Sequence, residues 1–570
     1  MKNAIKVLGI IVLVAIIGFA FITCDNGDNN NNNGNDPRPE TPEAMSTKTA
    51  LQYFTDEGIK IGINAGNSLD AVDTWTNPSK PTAVETAWGN PKLNQAYFTG
   101  LKTFGFNIVR IPVTWNGHIG SAPNYKIEEA YLKRVAEVVG YAKTAGLKAF
   151  INIHHDGHHD FDGWLDINKA VAGDTTVTDK FEKVWQQIAE YFINYGDWLM
   201  FQGFNEIHDG SWKENGTQAE YNVINNWNQK FTDVVRSTGG NNAQRYLLYY
   251  GYMVSTEIAE TSALFKLPTD TATGRQIVGF HFYAPWSFAG EASDYNWSTE
   301  AADKANFDST FGKMKTKFVN NNIPVIIGEL GPAGYANWSG NTGYNSANVA
   351  TAHTKRLAYI DYLFGKAREN GIVPFYWENG SYDTATAGEG DFTLINRNNG
   401  QAKNTNCAQV IQHMIDAVNN ATPPVITPGS KTITLNPNVY DAGDGQGSVA
   451  HGYQAKVSIS ELTGGSIQVA NGNTFTLTYT FTSNVAIGNL QVVLVDTRSA
   501  VSYWKELSGY VDIGAVTVGT PVSGNKIITA TATAGDSSVE ANQFIFSIGE
   551  TDSTASAPTL TFTALTLVKN

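Results

Sequence analysis

The stretch WLMFQGFNEI (residues 198–207) is a continuously apolar run that ends in two polar residues, Asn205 and Glu206. Runs that are apolar throughout, and do not alternate with polar residues, are typical of parallel strands buried on both faces. The sequence therefore predicts a set of buried parallel strands, of which this is one. The other seven runs are IKIGINAGN (59–67), FNIVRIPVTW (106–115), LKAFINIHHD (147–156), RYLLYYGY (245–252), QIVGFHFYAP (276–285), IPVIIGELG (323–331) and GIVPFYWEN (371–379).

The spacing between these runs leaves room for a helix between each pair. Leu132, Val135, Val139 and Ala142 recur at steps of three and four residues, and Gly146 ends this segment. Alternating strand–helix units predict a parallel sheet with helices on its faces. Because the first run continues as NAGNSLD, without the GxGxxG turn of a nucleotide-binding sheet, we expect an α/β fold of the (β/α)8 TIM barrel type. Comparable helical patterns cover residues 178–194, 217–238, 302–320 and 348–370.

Two of the predicted strands end in carboxylates, Glu206 and Glu329. In a (β/α)8 barrel the C-terminal ends of all strands meet at one face, so residues far apart in the sequence become neighbours there. Hydrolysis of a glycosidic bond with retention needs one carboxylic acid to protonate the leaving oxygen. It also needs one carboxylate to attack the anomeric carbon, about 5–5.5 Å away. Glu206 and Glu329 fit these two roles.

Other residues at the strand ends suit the same chemistry. Asn205 can hydrogen-bond the 2-hydroxyl of the sugar, and Arg110 can hold the nucleophile ionised. Tyr283 can donate its hydroxyl to the same carboxylate. Each residue also has a structural interpretation, as an ion pair or a core side chain, but their occurrence together at successive strand ends favours catalysis. The set is completed by His154 and His281, which would shape the sugar site, and by Trp377, a platform for a glucosyl ring.

The motifs NIVRIPVTW, NIHHD, FNEI, HFYAP, IIGELG and FYWENG follow one another in this order. In these motifs, residues 50–420 resemble glycoside hydrolase family 5. The resemblance implies that Glu206, preceded by Asn205, is the acid/base and that Glu329 is the nucleophile. The family uses no metal, so we expect no metal and no cofactor. The resemblance also assigns the remaining active-site positions to Arg110, His154, His281, Tyr283 and Trp377.

GINAGNSLDA (62–71) followed by ETAWGNP (85–91) resembles a subgroup of that family rich in endo-β-1,4-glucanases, xyloglucanases and lichenases. By this resemblance Asn67 and His155 would line glucosyl subsites, whereas Ile207 departs from the commoner proline after the acid/base. The implied activity is that of a retaining endo-β-1,4-glucanase acting on cellulose or related β-glucans. The alternative on the same scaffold is a xyloglucan-specific or mixed-linkage endoglucanase.

Two hypotheses of other classes use the same residues. The segment HHDGHHD (154–160) could bind a metal in a different kind of barrel hydrolase. Metal-dependent barrels generally have a pattern such as H-x-H at the first strand, where this sequence has Asn64 and Asn67. The second hypothesis is a surface lipoprotein that binds glycan without cleaving it, against which the presence of both glutamates argues.

The composition limits the class of partner. The chain has 570 residues, 42% of them hydrophobic, which suits two folded domains. The 53 acidic and 39 basic residues give a formal net charge of −14, which would repel polyphosphate, so no nucleic-acid partner is expected. A neutral β-1,4-glucan suits this charge better, and we expect the chain to act as a monomer. Only two cysteines, Cys24 and Cys407, are present, which predicts no disulfide framework.

The N-terminus has the form of an export signal. Lys2 and Lys6 precede an apolar stretch (residues 7–22), and FITC follows it. This segment resembles a bacterial lipoprotein signal in which Cys24 would be lipidated, although Phe21 and Thr23 depart from the usual residues. The alternative is an uncleaved membrane anchor, for which the stretch is short. We therefore expect an exported protein, lipid-anchored at the cell surface or periplasmic face or extracellular, with no other membrane contact.

The composition also predicts the domain boundaries. Residues 25–43, DNGDNNNNNGNDPRPETPE, contain no large apolar residue and are typical of a flexible spacer. After residue 420 a Pro-containing linker leads into a region without helical patterns. The predicted organisation is a signal peptide (1–24), a disordered linker (25–46), the catalytic barrel (47–420), a second linker (421–430) and a C-terminal domain (431–570).

The C-terminal region is rich in Thr, Val, Ser and Gly. Its strand candidates predict a smaller antiparallel β-sandwich. Tyr503, Trp504 and Tyr510 form an aromatic cluster that could stack on sugar, as in the carbohydrate-binding modules attached to family 5 enzymes. A role as spacer or in packing on the barrel is the alternative. The strand candidates are residues 474–481, 490–497, 526–534, 542–549 and 560–568.

Overall fold

The structure is a computed structural model. The predictions for the signal peptide and Cys24, and for Tyr503 and Trp504, lie outside the residues that it describes, as does the side chain of Asp160. The described residues are 37–74, 78–260, 263–336, 341, 343–380, 392–422, 431–434, 436–439, 450–459, 467–469, 471–496, 505–531, 539–541, 543–548 and 558–569.

Eight parallel strands close into a barrel. Each strand pairs with its neighbours in the sequence, and the last strand pairs with the first. Nearly all of their residues are buried, as expected for strands under a ring of helices. Each strand lies within one of the eight predicted runs, so the predicted (β/α)8 barrel is confirmed. The strands are β1 (Gly62–Asn64), β2 (Ile108–Ile111), β3 (Lys148–Asn152), β4 (Leu199–Gln202), β5 (Leu247–Tyr249), β6 (Gln276–Phe282), β7 (Val325–Leu330) and β8 (Ile372–Tyr376).

Helices cover the outside of the strands. In helix Glu129–Thr144 the predicted apolar face, which includes Leu132, Val135 and Val139, is the buried one. None of the helices in the described part of the chain is long and apolar enough to cross a bilayer. The long helices are Gln95–Phe104, Glu129–Thr144, Thr175–Tyr191, Gln218–Ser237, Glu300–Lys317, Val349–Glu369 and Thr405–Asn420, and the short ones are Ala50–Asp56, Ile167–Val171 and Trp286–Ala289.

The connection between β5 and β6 differs from the expected helix. Its described residues form only two short 3-10 turns, Tyr252–Val254 and Thr256–Ala259. The stretch that follows contains Pro268, Gly274 and several threonines, and these residues all disfavour an α-helix. The spacing between strands leaves room for a helix here, but the composition of the connection does not support one.

The segment of residues 37–46 packs against the barrel, which corrects the predicted disordered linker. Glu43 accepts hydrogen bonds at one carboxylate oxygen from Gly196 N and Trp198 Nε1, and it pairs with Lys143. Its backbone N donates to the oxygen of Asn194 at 2.9 Å. These contacts lie at the C-terminal end of helix Thr175–Tyr191, on the face of the barrel opposite the strand ends that carry the glutamates. Disorder was predicted because the segment lacks large apolar residues, but polar contacts hold it on the barrel.

The described residues of the C-terminal region form two larger antiparallel sheets, as expected for the predicted β-sandwich, and a two-stranded sheet of Ile467–Val469 and Val539–Ala541. Residues of strand Thr474–Ser483 alternate between buried and half-buried, so that Phe475 and Leu477 face the core. Phe546 of one sheet packs on Phe562 of the other at 5.2 Å between ring centroids. The first sheet contains Lys431–Thr434, Thr559–Lys569, Thr474–Ser483 and Val522–Thr529, and the second contains Asn436–Val439, Ala450–Ser458, Gln543–Ile548, Ile487–Asp496, Lys505–Glu506 and Val511–Val516.

Candidate active site

The two glutamates lie on the same face of the barrel. Glu329 belongs to β7, and Glu206 follows β4 after a short turn. A carboxylate oxygen of Glu206 lies within 4.8 Å of one of Glu329. This separation falls near the spacing of about 5–5.5 Å in retaining glycosidases and below the 6.5–9.5 Å range that an inverting mechanism needs.

Donor groups surround Glu329. Nη1 of Arg110 donates to Glu329 Oε1 at 2.7 Å, and the hydroxyl of Tyr283 donates to Glu329 Oε2 at 3.3 Å. Nε2 of His154 lies 3.9 Å from Oε1, and Nδ1 of His281 lies 3.7 Å from Oε2. Burial raises the pKa of Glu329, while His281 and the charge of Arg110 act in the opposite direction. The charge of Arg110 therefore favours the ionised form that can attack, against the effect of burial.

Arg110 is fixed by three side chains besides Glu329. Its Nε donates to Gln202 Oε1 at 2.7 Å, and its Nη1 donates to Asn64 Oδ1 at 2.9 Å. Its Nη2 donates to Asn205 Oδ1 at 2.6 Å. Arg110 is fully buried, and a guanidinium group keeps its charge even so. Because Asn205 accepts from Arg110 with its oxygen, its amide nitrogen points away from the guanidinium and remains a donor.

Glu206 has a different environment. Its Oε1 shares a hydrogen bond of 2.7 Å with Nδ1 of His281, and its side chain is partly open to the cleft. Burial raises the pKa of Glu206, and the nearby His158 and Arg110 oppose that effect. A carboxyl group that keeps its proton to higher pH is suited to protonate a leaving oxygen.

The histidines of the site are neutral. Burial lowers the pKa of His281 to about 3, that of His155 to about 4, and that of His154 well below its usual value. Asn152 Oδ1 accepts from the backbone N of Val113, so its amide nitrogen faces Nδ1 of His154 at 3.0 Å. The amide nitrogen of Asn205 faces the other ring nitrogen, Nε2, at 3.4 Å, so two amide side chains hold the His154 ring.

Comparison with known proteins decides the family. A family model described as Cellulase (glycosyl hydrolase family 5) matches residues 69–383. The chain belongs to this family. Endoglucanase A of Paenibacillus barcinonensis is 34% identical over 387 residues, which cover 64% of this chain and 90% of that protein. The family-level prediction from the sequence motifs is thereby confirmed.

Two further relatives of this family 5 chain differ from each other in substrate specificity. The xyloglucan-specific endo-beta-1,4-glucanase BoGH5A of Bacteroides ovatus is 34% identical over 56% of this chain and 64% of its own length. A solved structure of a GH5-4 broad specificity endoglucanase from Bacteroides salanitronis is 37% identical, with a TM-score of 0.57, and covers 67% of this chain and 98% of its own. The barrel is therefore similar to enzymes of both narrow and broad specificity.

Trp377 lies beside the catalytic centre of this family 5 barrel, directly after β8. Its ring is parallel to that of His154, with an interplanar angle of 4° and 5.9 Å between centroids. The indole passes over Gly66, where a Cβ atom would lie only 2.8 Å from the ring. A glycine at position 66 is thus required for the indole to lie flat next to His154.

Asn67 and His155 lie near the same end of the cleft. Asn67 has a positive φ of 52°, and its backbone N donates to Asp70 Oδ2 at 3.0 Å. Nδ1 of His155 is 2.9 Å from the backbone oxygen of Asp70, and the His155 ring packs on Trp88 at 5.5 Å between centroids. Asp70 therefore positions both residues that the sequence predicts to line glucosyl subsites.

Sequence reasoning missed the residues that hold Arg110. Asn64 in β1 and Gln202 in β4 are fully buried polar side chains in otherwise apolar strands, and this is the signal that identifies them. Tyr250 was also missed. Its ring lies 5.3 Å from that of His281, and its hydroxyl has no hydrogen-bond partner among the described residues.

Two groups of side chains satisfy the distances of a cation site. In the group of Asp70, His154 and His155, Nδ1 of His155 contacts the backbone oxygen of Asp70, and Nδ1 of His154 accepts from Asn152. In the group of Glu206, His281 and Glu329, Arg110 already supplies a positive charge to Glu329. The groups are Asp70 with His154 and His155, and Glu206 with His281 and Glu329.

The metal hypothesis for HHDGHHD fits the geometry poorly. Asp156 accepts from Trp115 N and Trp164 Nε1, and Nε2 of His159 contacts the backbone oxygen of His208 at 2.8 Å. These atoms are engaged within the protein, and two histidines of the segment share a candidate group with Asp70. Within the described residues, the segment therefore resembles a hydrogen-bonded wall of the cleft more than a metal site.

Proposed function

We propose that this chain is a retaining endo-β-1,4-glucanase that cleaves internal β-1,4-glucosidic bonds of cellulose or related β-glucans. The observation that carries the proposal is the approach of Glu206 and Glu329 to within 4.8 Å. Membership of family 5 and the endoglucanases among its relatives support it. The different donors around the two glutamates support their different roles.

In the first step Glu329 attacks the anomeric carbon while Glu206 gives its proton to the leaving oxygen, which forms a glycosyl ester on Glu329. Arg110 holds Glu329 as an anion and in position, with Nη1 at 2.7 Å. Burial keeps the pKa of Tyr283 well above its usual value, so its hydroxyl remains a donor to Glu329.

In the second step Glu206, now ionised, accepts a proton from water, and the water attacks the ester. His281 stays neutral and contacts Glu206 in both protonation states. The amide nitrogen of Asn205, which lies 3.4 Å from Nε2 of His154, would donate to the sugar 2-hydroxyl, an interaction that strengthens in the transition state.

Sugar binding, cellular location and domain organisation are part of the same proposal. Trp377 would stack on a glucosyl ring, and Asn67 and His155 would contact the next unit. The protein would be exported, lipidated at Cys24 and monomeric, with the catalytic barrel and the C-terminal domain as separate domains. Its partner would be a β-1,4-glucan and no nucleic acid.

The roles of the two glutamates can be separated by their substrates. Glu329→Ala is expected to lower kcat by about 10⁴-fold or more on every substrate. For Glu206→Ala we expect kcat/KM, which reports the first step, to fall by about 10²–10⁴-fold on polysaccharide. The fall should be smaller on β-cellobiosyl fluoride, whose leaving group needs no proton. Glu137→Ala, on an exposed helix face, is the matched control. Equal losses of the Glu206 variant on both substrates would contradict the assignment.

Xyloglucan is a second candidate substrate, because a xyloglucan-specific relative is 34% identical to this chain. Product release by a chain of residues 37–570 should be measured on carboxymethyl-cellulose, lichenan, xyloglucan, glucomannan and xylan, with Glu329→Ala as the blank. We expect activity on unbranched β-1,4-glucan. Activity confined to xyloglucan would favour the second candidate, and binding without product release would favour a glycan-binding protein.

A further inference from the structure

The hydroxyl of Tyr250 is a buried polar group with no part in the two steps of hydrolysis. Tyr250 follows β5 directly and is only 1% exposed. Its hydroxyl has no hydrogen-bond partner among the described residues. A buried hydroxyl without a partner has a free-energy cost that phenylalanine at the same position would not have. This oxygen is therefore better explained by the site beside it than by the fold.

Two glycines make room for the Tyr250 ring against the strands that carry the site. A Cβ atom on Gly279 in β6 would lie 2.2 Å from Cε1 of Tyr250. A Cβ atom on Gly328 in β7 would lie 1.8 Å from its hydroxyl oxygen. Gly279 lies two residues before His281, and Gly328 directly precedes Glu329. The ring is thus held next to the catalytic ends of both strands.

The hydroxyl of Tyr250 and Nε2 of His281 face the same point. The Cβ atom on Gly328 that would collide with the hydroxyl would also lie 3.2 Å from Nε2 of His281. The two rings are 5.3 Å apart at an angle of 85°, and Nε2, like the hydroxyl, has no partner in the described part of the chain. Burial raises the pKa of Tyr250, so the hydroxyl keeps its proton. It can donate to a neutral imidazole nitrogen directly or through one water molecule.

The position of the proton on His281 decides what this histidine does to Glu206. Nδ1 of His281 lies 2.7 Å from Oε1 of Glu206. If Nδ1 carries the proton, it donates to Oε1, and Glu206 holds its acid proton on Oε2, the oxygen that His281 does not contact. If Nε2 carries the proton, Nδ1 accepts the acid proton and holds it away from the leaving oxygen.

We propose that Tyr250 is a positioning residue that selects the tautomer of His281 with the proton on Nδ1. Its hydroxyl donates to Nε2, directly or through one water molecule, and this hydrogen bond requires Nε2 to be unprotonated. As the bond from the anomeric carbon to the leaving oxygen breaks and Glu329 forms the ester, the proton on Oε2 of Glu206 passes to that oxygen. The inference rests on the proposed endoglucanase function and explains how Glu206 presents its proton.

Tyr250→Phe tests this role, because it removes one oxygen and keeps the ring. We expect kcat/KM on cellopentaose to fall about tenfold, the equivalent of one hydrogen bond, since His281 would then compete for the acid proton. On β-cellobiosyl fluoride kcat/KM should change less than about twofold, because this leaving group needs no proton.

Tyr249→Phe is the matched control. Tyr249 is the neighbouring buried tyrosine, and its hydroxyl is hydrogen-bonded to that of Thr232 at 2.9 Å, on the outer helix Gln218–Ser237. This variant should lower Tm, because it leaves the Thr232 hydroxyl without its partner. It should leave kcat/KM unchanged on both substrates.

Nitrogen-15 NMR of protein labelled at histidine reports the tautomer directly, with His281→Asn to assign the signals. We expect the proton on Nδ1 in the parent and, wholly or in part, on Nε2 in Tyr250→Phe. A proton on Nε2 in the parent, or the same tautomer in both proteins, would overturn the proposal. Equal loss of activity on both substrates, or no loss on either, would overturn it as well. A parent inactive on both substrates would instead refute the endoglucanase function, and with it the proton transfer from Glu206.

Discussion

The pKa values of the two glutamates determine how activity depends on pH. Burial raises the pKa of both carboxyl groups. Glu329 must be ionised, so activity falls as the pH drops through its pKa, and Glu206 must be protonated, so activity falls as the pH rises through its own. We expect a bell-shaped profile of kcat/KM on cellopentaose, with an acidic limb above the usual range of a glutamate.

The alkaline limb can be assigned by a change of substrate. Because fluoride departs without a proton, the profile on β-cellobiosyl fluoride should lose its alkaline limb and keep its acidic one. His281 does not contribute to either limb above about pH 3, since its pKa is lowered to about 3 by burial. An alkaline limb that persists with the fluoride would contradict the role of Glu206.

Gln202 holds Arg110, which in turn contacts Glu329. The variant Gln202→Met removes the acceptor of Arg110 Nε and leaves a charged donor unpaired, which costs about 1.5–3 kcal/mol. We expect kcat/KM to fall by about 10–100-fold through loss of the position of Arg110 against Glu329. Gln95→Met, which changes the same residue type on an outer helix, is the control for kcat/KM and Tm. A drop in Tm with unchanged kcat/KM would show a purely structural role.

At the scale of single residues, the sequence predicts the charged residues of the site better than the buried polar residues that hold them. Glu206, Glu329 and Arg110 could be selected because each follows or ends an apolar run and has a charge. The structure brings these residues together. Asn64 and Gln202 are the last residues of β1 and β4 but lie within the longer apolar runs of the sequence, where an uncharged polar residue gives a weak signal. Their role exists only because Arg110 lies between them.

The segment of residues 37–46 contains a partly buried carboxylate, Glu43, among the groups that hold it on the barrel. Burial opposes ionisation of Glu43, but hydrogen bonds from Lys143, Trp198 and Gly196 outweigh it and lower the pKa of Glu43. Its contribution to stability is therefore present at neutral pH and is lost as the pH falls through that lowered pKa.

Glu43→Ala tests this element. We expect the free energy of unfolding to fall by about 1–2 kcal/mol at pH 7, with the difference from the parent shrinking as the pH falls below the usual value for a glutamate. Activity at 25 °C should be unchanged, because the segment lies on the face opposite the glutamates. Glu40→Ala, an exposed position in the same segment, should change neither property. A difference in stability that is the same at pH 7 and pH 3 would contradict the electrostatic explanation.

Elements were predictable where periodicity is strong. The eight apolar runs and the helix at 129–144 give clear patterns, and each has a counterpart in the structure. The predictions for the connection from β5 to β6 and for residues 37–46 were wrong for opposite reasons. In the first, strand spacing suggested a helix that its residues do not favour. In the second, polar composition suggested disorder where specific hydrogen bonds form.

At the scale of the whole molecule, the barrel and the C-terminal sandwich have separate hydrophobic cores. The buried cluster of the barrel extends to Val418, and that of the sandwich begins at Val457. Every side chain that contacts Arg110, Glu206 or Glu329 in the described residues belongs to the barrel. Among the described residues, neither the core of the barrel nor the contacts of these three side chains include any residue after 422.

A chain of residues 37–422 should therefore fold and keep its catalytic power. We expect its kcat/KM on cellopentaose to stay within about twofold of that of residues 37–570, because additivity holds for distant and independent parts. The matched control is the same truncation carrying Glu329→Ala, which should be inactive. If the shortened chain aggregates or loses activity on this soluble substrate, the sandwich completes the barrel, and the two would have to be treated as one folding unit. If only activity on insoluble cellulose falls, the sandwich acts by holding the enzyme on its substrate, since the catalytic step itself would be intact.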